Sequence, residues 1–252
     1  MYEWLFAGLI VFVASVLQSA VGFGFAIVGT PLLLLVYDSR EVVQINNFLS
    51  LLVAIILLPK IIKEVDYQLL KRFFIGSLFG VPLGLLFFAY VSLGLLKITV
   101  GILVSFISIF LIVKWYKTRN LSEEELQDTA KPSSKFQELF SGLLSGVLTN
   151  GAGLPGIPLA IYFNVKNIEK GVTRSTTLSF FIGVYVITII SQALTVKIAG
   201  TVITTSLMLV PALLIGVFVG NILHYRINQR VFQLIINLVL IFTGLYMIAK
   251  TI

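Results

Sequence analysis

Long apolar stretches separated by short polar ones dominate this chain of 252 residues. Six of them are long enough to cross a bilayer as helices, which takes about 20 residues. They are residues 42–63, 73–93, 95–116, 171–196, 201–223 and 231–251. Two further apolar segments, residues 4–37 and 136–163, contain glycines, prolines and polar residues that interrupt a helix. The pattern predicts an all-α, polytopic membrane protein.

One long polar stretch, residues 117–135, divides the chain into two halves, residues 1–116 and 136–252. Each half begins with an interrupted segment and continues with three clean spans. Three short motifs recur in the same order at offsets of 127, 129 and 136. They pair residues 24–31 with 151–158, 46–52 with 175–181, and 80–84 with 216–220. We therefore expect two repeats joined by a linker, an arrangement common among transporters.

The interrupted segments are too short for two full crossings each. Residues 4–37 divide at Gly22–Gly24 into arms of about 18 and 13 residues, and residues 136–163 divide near Asn150 into arms of about 14 and 10. The second arms restart near Phe25 and Leu154. Each segment is either one long broken crossing or a re-entrant hairpin that returns to its own side.

The distribution of basic residues favours re-entrant hairpins. With eight crossings, the 18 Lys and Arg residues divide 11 to 7 between the two faces. With hairpins, one face keeps four, namely Arg40, Lys97, Lys197 and Lys250, and the other has fourteen. Basic residues concentrate on the cytoplasmic side of membrane proteins. The hairpin arrangement predicts inverted repeats, extracytoplasmic termini and a cytoplasmic linker in the cell (inner) membrane.

The hairpin tips carry the candidate chemistry. A helix that restarts inside the membrane presents unpaired N–H groups and the positive end of its dipole, which favours an anion. Polar residues accompany the tips and start the following helices, where helix capping is the alternative role. The candidate substrate-binding residues are Gln18, Ser19, Gly22, Phe23, Gly24, Asn46, Asn47, Thr149, Asn150, Gly151, Gly153, Arg174, Ser175, Thr176 and Gln192. Arg174 either pairs with the anion or extends to the surface, and Gln192 lines a cavity or bonds across helices.

Composition narrows the function. Hydrophobic residues make up 58% of the chain and its mean hydropathy is +1.04. There is no cysteine and one histidine, which excludes disulfides and a cysteine or histidine metal cluster, so we expect no metal site. We also expect no cofactor and no catalytic residue. The net charge of +7 reflects membrane orientation rather than nucleic-acid binding. The acidic residues fall in loops or at span ends, so a proton relay has no obvious carrier.

Isolated glycines, namely Gly80, Gly84, Gly216 and Gly220, are interpreted as helix-packing positions.

The two tip motifs resemble those of the sulfite exporter TauE/SafE family of membrane permeases, which have a glycine-rich segment followed by proline in each half and then a Thr-Ser pair. Here the copies are Gly22-Phe-Gly-Phe-Ala followed by Pro31, and Thr149-Asn-Gly-Ala-Gly followed by Pro158. Asn46-Asn47 and Ser175-Thr176 stand where the Thr-Ser pair would be. The resemblance covers the whole chain. It implies transport, usually outward, of sulfite, sulfonates such as sulfoacetate, or other small sulfur-containing or organic anions.

The leading hypothesis is a secondary transporter that binds a small anion near the bilayer midplane between the hairpin tips. One alternative is a membrane-embedded enzyme acting on a lipid phosphate, although the tips have no ionisable residue. A cation channel should carry Asp, Glu or His rings that are missing here. A non-transporting membrane subunit and a homo-oligomer are both compatible with the sequence.

Overall fold

A computed structural model describes residues 2–21, 24–118, 134–223 and 229–251, and every regular element in these ranges is helical. The α-helices in chain order are α1 (Tyr2–Val21), α2 (Phe25–Tyr37), α3 (Glu41–Leu57), α4 (Tyr67–Tyr90), α5 (Leu93–Thr118), α6 (Lys135–Ala152), α7 (Gly156–Lys166), α8 (Lys170–Thr195), α9 (Gly200–Leu223) and α10 (Gln229–Thr251). Most of the predicted linker and the predicted site residues Gly22 and Phe23 lie outside the described residues.

Five helices within the described ranges are long and apolar enough to cross a membrane. These spans are Glu3–Ala20, Tyr67–Tyr90, Leu93–Lys117, Lys170–Thr195 and Gly200–Ile222. Helices α2 and α3 are shorter apolar helices of 13 and 17 residues. The predicted class, an all-α polytopic membrane protein, is confirmed.

One predicted span is shorter than expected. The sequence predicted a helix over residues 42–63, but α3 ends at Leu57 and two short 3-10 turns follow it, Leu58–Lys60 and Ile62–Glu64. Pro59 explains this end, because proline has no N–H to donate to the preceding turn of an α-helix. The predicted span was therefore wrong in its last six residues.

Each interrupted segment folds back on itself. Trp4 near the start of α1 packs edge to face with Tyr37 at the end of α2, with ring centres 6.1 Å apart. In the second half, the hydroxyl of Tyr162 on α7 donates to Glu138 on α6 at 3.2 Å. Each short helix therefore runs back along the long helix before it.

Glycines make the two reversals. Gly24 has a φ of 137° and Gly153 a φ of 71°, which side chains other than glycine rarely adopt. The first break, predicted at Gly22–Gly24, falls between the end of α1 at Val21 and the start of α2 at Phe25. The second was wrongly placed near Asn150, since α6 continues to Ala152 and α7 begins at Gly156. Pro155 lies at the N-cap of α7.

Helices from the two halves pack closely on one another. A Cβ at Gly80 or Gly84 on α4 would collide with backbone carbonyls of α6, and a Cβ at Gly216 or Gly220 would collide with carbonyls of α1. Successive glycines on α4 meet successive residues of α6 in the same order, so these helices run parallel, as do α9 and α1. The interpretation of these four glycines as helix-packing positions is confirmed.

The short helices end in similar ways. Asp38 and Asn167 each follow a short helix with a left-handed φ, 48° and 49°. Lys97 donates to Asp38 and holds the pKa of that carboxyl below its ordinary value, by this hydrogen bond first and then by its charge; the charge of Lys250 adds to the effect. Lys114 donates to the side chain of Asn167 at 2.8 Å. In each half a lysine from another helix therefore lies at this chain reversal.

Candidate functional site

The tip of the second hairpin lies inside a cradle of polar side chains. The amide of Asn46 donates to the carbonyl oxygen of Gly153 at 3.1 Å. A Cβ placed on Gly153 would lie 3.3 Å from the Thr30 hydroxyl and 3.4 Å from the Asn47 carbonyl oxygen. Helix α2 supplies Thr30 and α3 supplies the two asparagines. The first half therefore surrounds the tip of the second.

Close packing of α2 and α3 holds this cradle in place. Gly29 lies on α2 next to Asn46, and a Cβ there would be 2.7 Å from the side-chain oxygen of that asparagine. Glycine at this position therefore lets the amide lie against the backbone of α2. Because Gly29 is one residue before Thr30, one turn of α2 both makes room for the Asn46 side chain and supplies the Thr30 hydroxyl.

The cradle contains buried polar atoms that lack hydrogen-bond partners within the described part of the chain. They are the Thr30 hydroxyl, the Asn46 side-chain oxygen and both amide atoms of Asn47, and all three residues are fully buried. A buried polar atom without a partner costs about 1–3 kcal/mol. Such atoms are rare in folded proteins and call for an explanation. Together they offer two acceptor oxygens, an amide donor and a hydroxyl to a small polar ligand.

A second amide network lies one turn before the tip. Asn150 donates to the Val81 carbonyl at 3.2 Å and to the Ser191 hydroxyl at 2.9 Å. Gln192 donates to the side-chain oxygen of Asn150 at 2.8 Å. The Thr149 hydroxyl instead donates to its own helix, at the Ser145 carbonyl. The structure thus brings together two of the predicted site residues, Asn150 and Gln192, and their hydrogen bonds connect α4, α6 and α8.

The end of the first hairpin's long arm is held by an arginine from the second half. Arg174 on α8 donates from its guanidinium to the carbonyl oxygen of Ser19 at 2.6 Å. The Ser19 hydroxyl donates to the Val217 carbonyl at 3.2 Å. Carbonyls in the last turn of a helix have no intrahelical partner, and a cation there complements the dipole. Arg174 is therefore partly buried and bonded to the last turn of α1.

Gln18 is buried next to this junction. Neither its side-chain nitrogen nor its side-chain oxygen has a hydrogen-bond partner among the described residues. The structure therefore leaves a second set of unpaired polar atoms near the first tip.

The other predicted residues make mainly structural contacts. The Ser175 hydroxyl donates to the Val172 carbonyl at 3.2 Å, and the Thr176 hydroxyl accepts from the backbone of Asp66 at 3.0 Å. Gly151 faces the Phe87 ring, which would be 3.1 Å from an added Cβ, and not the cradle. Gly24 lies beside Leu17.

The predicted residues therefore fall into two groups, one around Asn46 and Gly153 and one around Arg174 and Ser19. Helices α3 and α8 run antiparallel, since Gln44 near the start of α3 bonds to the Lys197 carbonyl just after α8. The polar residues at the start of α8 therefore lie toward the opposite end of this helix pair from the polar residues at the start of α3.

Buried hydroxyls that the sequence reasoning missed lie between the two groups. The hydroxyls of Ser50 on α3 and Tyr185 on α8 face each other, and the Thr188 hydroxyl follows one turn later. None of the three is exposed. Tyr185, Thr188 and Gln192 are spaced i, i+3 and i+7, which places them on one face of α8. That spacing is the sequence feature from which these buried polar residues of α8 could have been predicted. Thr30 has no such feature beyond its place in the tip motif.

Acidic residues contribute little to this region in the part of the chain that the structure describes. Within the described ranges, no three His, Cys, Asp or Glu side chains come together as a metal site would require. One carboxylate, Glu138, is nonetheless buried at the start of α6. From its position in the sequence, Glu138 was expected only at the end of a span.

The fold and the buried amide clusters define a helical, multi-pass membrane protein with a polar interior. The family described as sulfite exporter TauE/SafE matches residues 7–247, and the chain belongs to that family. Its members are membrane transporters, not enzymes, and membership implies transport of sulfite or related anions. The expected resemblance is thus confirmed, and the lipid-phosphate enzyme is set aside. No curated protein and no solved structure matched the chain.

Proposed function

We propose that this protein is a secondary transporter that exports a small anion, such as sulfite, sulfoacetate or another organosulfonate, through the polar interior between its hairpin tips. The main support comes from the buried atoms of Thr30, Asn46 and Asn47 around Gly153, which lack hydrogen-bond partners among the described residues. A small oxyanion with several acceptor oxygens could take hydrogen bonds from the Asn47 amide and the Thr30 hydroxyl. The family description, a sulfite exporter, supports the substrate class and the outward direction.

The anion would lie against the restarted helix of the second hairpin. The first N–H groups of α7, beginning at Gly156, have no intrahelical partner, and the helix dipole adds positive potential there. Gly153 leaves room for close approach to the backbone. Neutral amides and a helix end hold an anion without a permanent counter-charge, which allows release as well as binding.

Near the first hairpin tip, Arg174 and Gln18 would form the second half of the anion's path through the protein. The partly buried guanidinium of Arg174 donates a hydrogen bond to Ser19 and also carries a full positive charge. The hydroxyls of Ser50, Tyr185 and Thr188 would provide intermediate contacts between this end and the cradle. The anion would then pass between two binding positions, the neutral cradle around Gly153 and the positively charged end at Arg174, rather than bind at a single central site.

The helix packing supports the proposal of inverted repeats, α1–α5 and α6–α10. In these repeats α1 corresponds to α6, α3 to α8 and α4 to α9. The contact between α1 and α9 therefore has a counterpart between α6 and α4, and the contact between α3 and α9 has one between α8 and α4. All four pairs are in contact. Corresponding helices α3 and α8 are antiparallel. Gly94 and Gly101 of α5 approach Thr251 and Gly244 of α10 in reverse order, so these helices are antiparallel too. Antiparallel partners are what an inverted repeat requires.

The folded-back helices support the proposal that both interrupted segments are re-entrant. Helices α2 and α7, with 13 and 11 residues, extend only about 20 Å and 17 Å at 1.5 Å per residue, less than the bilayer core. Four basic residues, Arg40, Lys97, Lys197 and Lys250, lie on loops or helix ends at the end of the molecule where Tyr37 meets Trp4. The positive-inside rule assigns that end to the extracytoplasmic side.

Flux measurements test the transport proposal. The purified protein in proteoliposomes should move radiolabelled sulfite or sulfoacetate, with taurine as a zwitterionic comparison and protein-free liposomes as the control. Each should be measured with and without a pH gradient, which also reveals any coupled proton. If no sulfur oxyanion moves, and none raises the unfolding temperature of the protein, the proposed function is wrong.

A further inference from the structure

A polar cavity lies at the mouth of the second hairpin, where the start of α4, the start of α6 and the end of α7 meet. Its volume is about 340 Å³. Its lining residues are Asp66, Gln68, Leu69, Arg72, Glu138, Tyr162, Lys166 and Ile168. The cavity is separate from the cradle around Gly153, because Glu138 precedes that glycine by fifteen residues, or about 22 Å of helix.

A buried carboxylate occupies the back of this cavity. Glu138 is 1% exposed, and its two oxygens accept from different partners. Arg72 donates to one oxygen at 2.5 Å, and the Tyr162 hydroxyl donates to the other at 3.2 Å. The ammonium of Lys166 lies 6.0 Å from the centre of the Tyr162 ring. A guanidinium and a phenol thus converge on one carboxylate, with an ammonium beside the phenol ring, and the same donors suit a sulfonate or sulfite group.

The architecture of a hairpin does not require these charges. At the offset of 127, Glu138 corresponds to Val11 and Tyr162 to Leu35, and at the offset of 136, Arg72 corresponds to Met208. The first hairpin therefore has apolar side chains at the matching positions. Buried ion pairs are often no more stabilising than apolar residues of similar size, because both charges lose their hydration. A charged cluster in one hairpin alone is better explained by binding than by stability.

The remaining acidic group of the cavity is already engaged. Asp66 is the N-cap of α4, and its side-chain oxygen accepts from the backbone of Gln68 at 2.9 Å and of Leu69 at 3.0 Å. Its charge is thus directed at the start of a helix. The Arg72 side chain is 30% exposed, so a ligand in the cavity can reach its guanidinium.

We propose that this cavity is an entrance site for the transported anion, in which the Glu138 carboxylate occupies the place of the anion while the site is empty. An arriving sulfonate or sulfite takes the hydrogen bonds of Arg72 and Tyr162, and Lys166 adds positive charge. The displaced carboxylate then repels the anion, which favours its onward movement and prevents tight trapping. This inference rests on the proposed transport function.

The test compares variants that differ in one charge at a time. Glu138→Gln removes the competing charge and should lower the half-saturating concentration for sulfoacetate flux by roughly fivefold. The double variant Arg72→Gln/Glu138→Gln also lacks the guanidinium and should have a half-saturating concentration about tenfold above that of the single variant. Lys71→Gln, an exposed neighbour with the same charge change as Arg72→Gln, should match the wild type.

These variants distinguish an anion-binding role of the Arg72–Glu138 pair from a purely structural one. Equal half-saturating concentrations in the single and double variants, with normal wild-type flux, would mean that the ion pair is only structural. If Glu138→Gln does not fold, the double variant is compared with the wild type: its half-saturating concentration should be about twofold higher, and an equal or lower value overturns the inference. Liposomes with and without anionic lipid distinguish a free anion from a lipid headgroup: inhibition by anionic lipid alone, with no effect of the variants on sulfoacetate, also overturns it. Absence of wild-type flux would instead contradict the proposed function.

Discussion

Asn46 on α3 donates a hydrogen bond to the carbonyl oxygen of Gly153, across 107 positions of sequence, at the tip of the second hairpin. Arg174 on α8 makes the corresponding contact in the opposite direction, to Ser19 near the tip of the first hairpin. Each tip is therefore held by the first turns of a helix from the other half. Any movement of one half against the other must stretch or exchange these two contacts, so under the proposed function they would couple the candidate binding groups to transport.

Replacing Arg174 tests the first tip. Arg174→Gln removes the charge beside the end of α1, and we expect the half-saturating concentration for sulfite flux to rise about tenfold, the equivalent of about 1.4 kcal/mol. Lys170→Gln, an exposed residue one turn earlier on α8, is the matched control and should leave flux unchanged. Equal values for Arg174→Gln and the wild type, in folded protein, would show that Arg174 only fastens the fold.

The amide pair of Asn150 and Gln192 should be energetically coupled. A double-mutant cycle with Asn150→Ala and Gln192→Ala, followed by thermal or denaturant unfolding in detergent, should give a coupling energy of about 0.5–2 kcal/mol. Because Asn150 also bonds to Val81 and Ser191, we expect Asn150→Leu to destabilise the protein as well as to block flux. A coupling energy of zero would contradict the observed hydrogen bond.

Gly216 should be required for the contact between α9 and α1. A Cβ there would lie 2.5 Å from the Phe12 carbonyl oxygen, so Gly216→Ala should lower the free energy of unfolding by about 1–3 kcal/mol. Gly200 starts the same helix and has no atom within 4 Å of an added Cβ. Gly200→Ala should therefore leave stability unchanged or slightly higher. Equal losses in both variants would contradict the glycine packing.

Cysteine labelling tests the re-entrant arrangement, since the chain has no native cysteine. Ser39→Cys follows the first hairpin and Glu169→Cys follows the second. An impermeant thiol reagent should label Ser39→Cys from outside and Glu169→Cys only after the membrane is opened. Labelling of both from the same side would contradict the hairpins and indicate eight full crossings.

Local signals in the sequence were sufficient for much of the fold. The break before Phe25 follows from the glycines at that point, and the packing positions such as Gly80 follow from their spacing. The second break was placed three residues early because Asn150 reads as a helix end. In the structure its amide is satisfied by Val81, Ser191 and Gln192, so the helix continues to Ala152.

Features that depend on distant partners could not be predicted in this way. A carboxylate at a span end beside a polar linker, such as Glu138, reads as a surface group. Its burial depends on Arg72, 66 positions earlier, and on Tyr162 in another helix. Thr30 is similar: only the arrival of Gly153 from the other half makes its hydroxyl part of a cradle.

Two buried amides on α3 test whether the anion passes through the cradle around Gly153. Asn46 donates to Gly153 within the cradle, whereas Gln44 donates to the Lys197 carbonyl at 3.1 Å, outside it. Asn46→Ala and Gln44→Ala should each lower the free energy of unfolding by a similar amount, about 1–2 kcal/mol. In proteoliposomes, Gln44→Ala should retain most of the sulfite flux, and Asn46→Ala should lose at least about tenfold. Equal flux in the two variants would contradict an anion path through the cradle around Gly153.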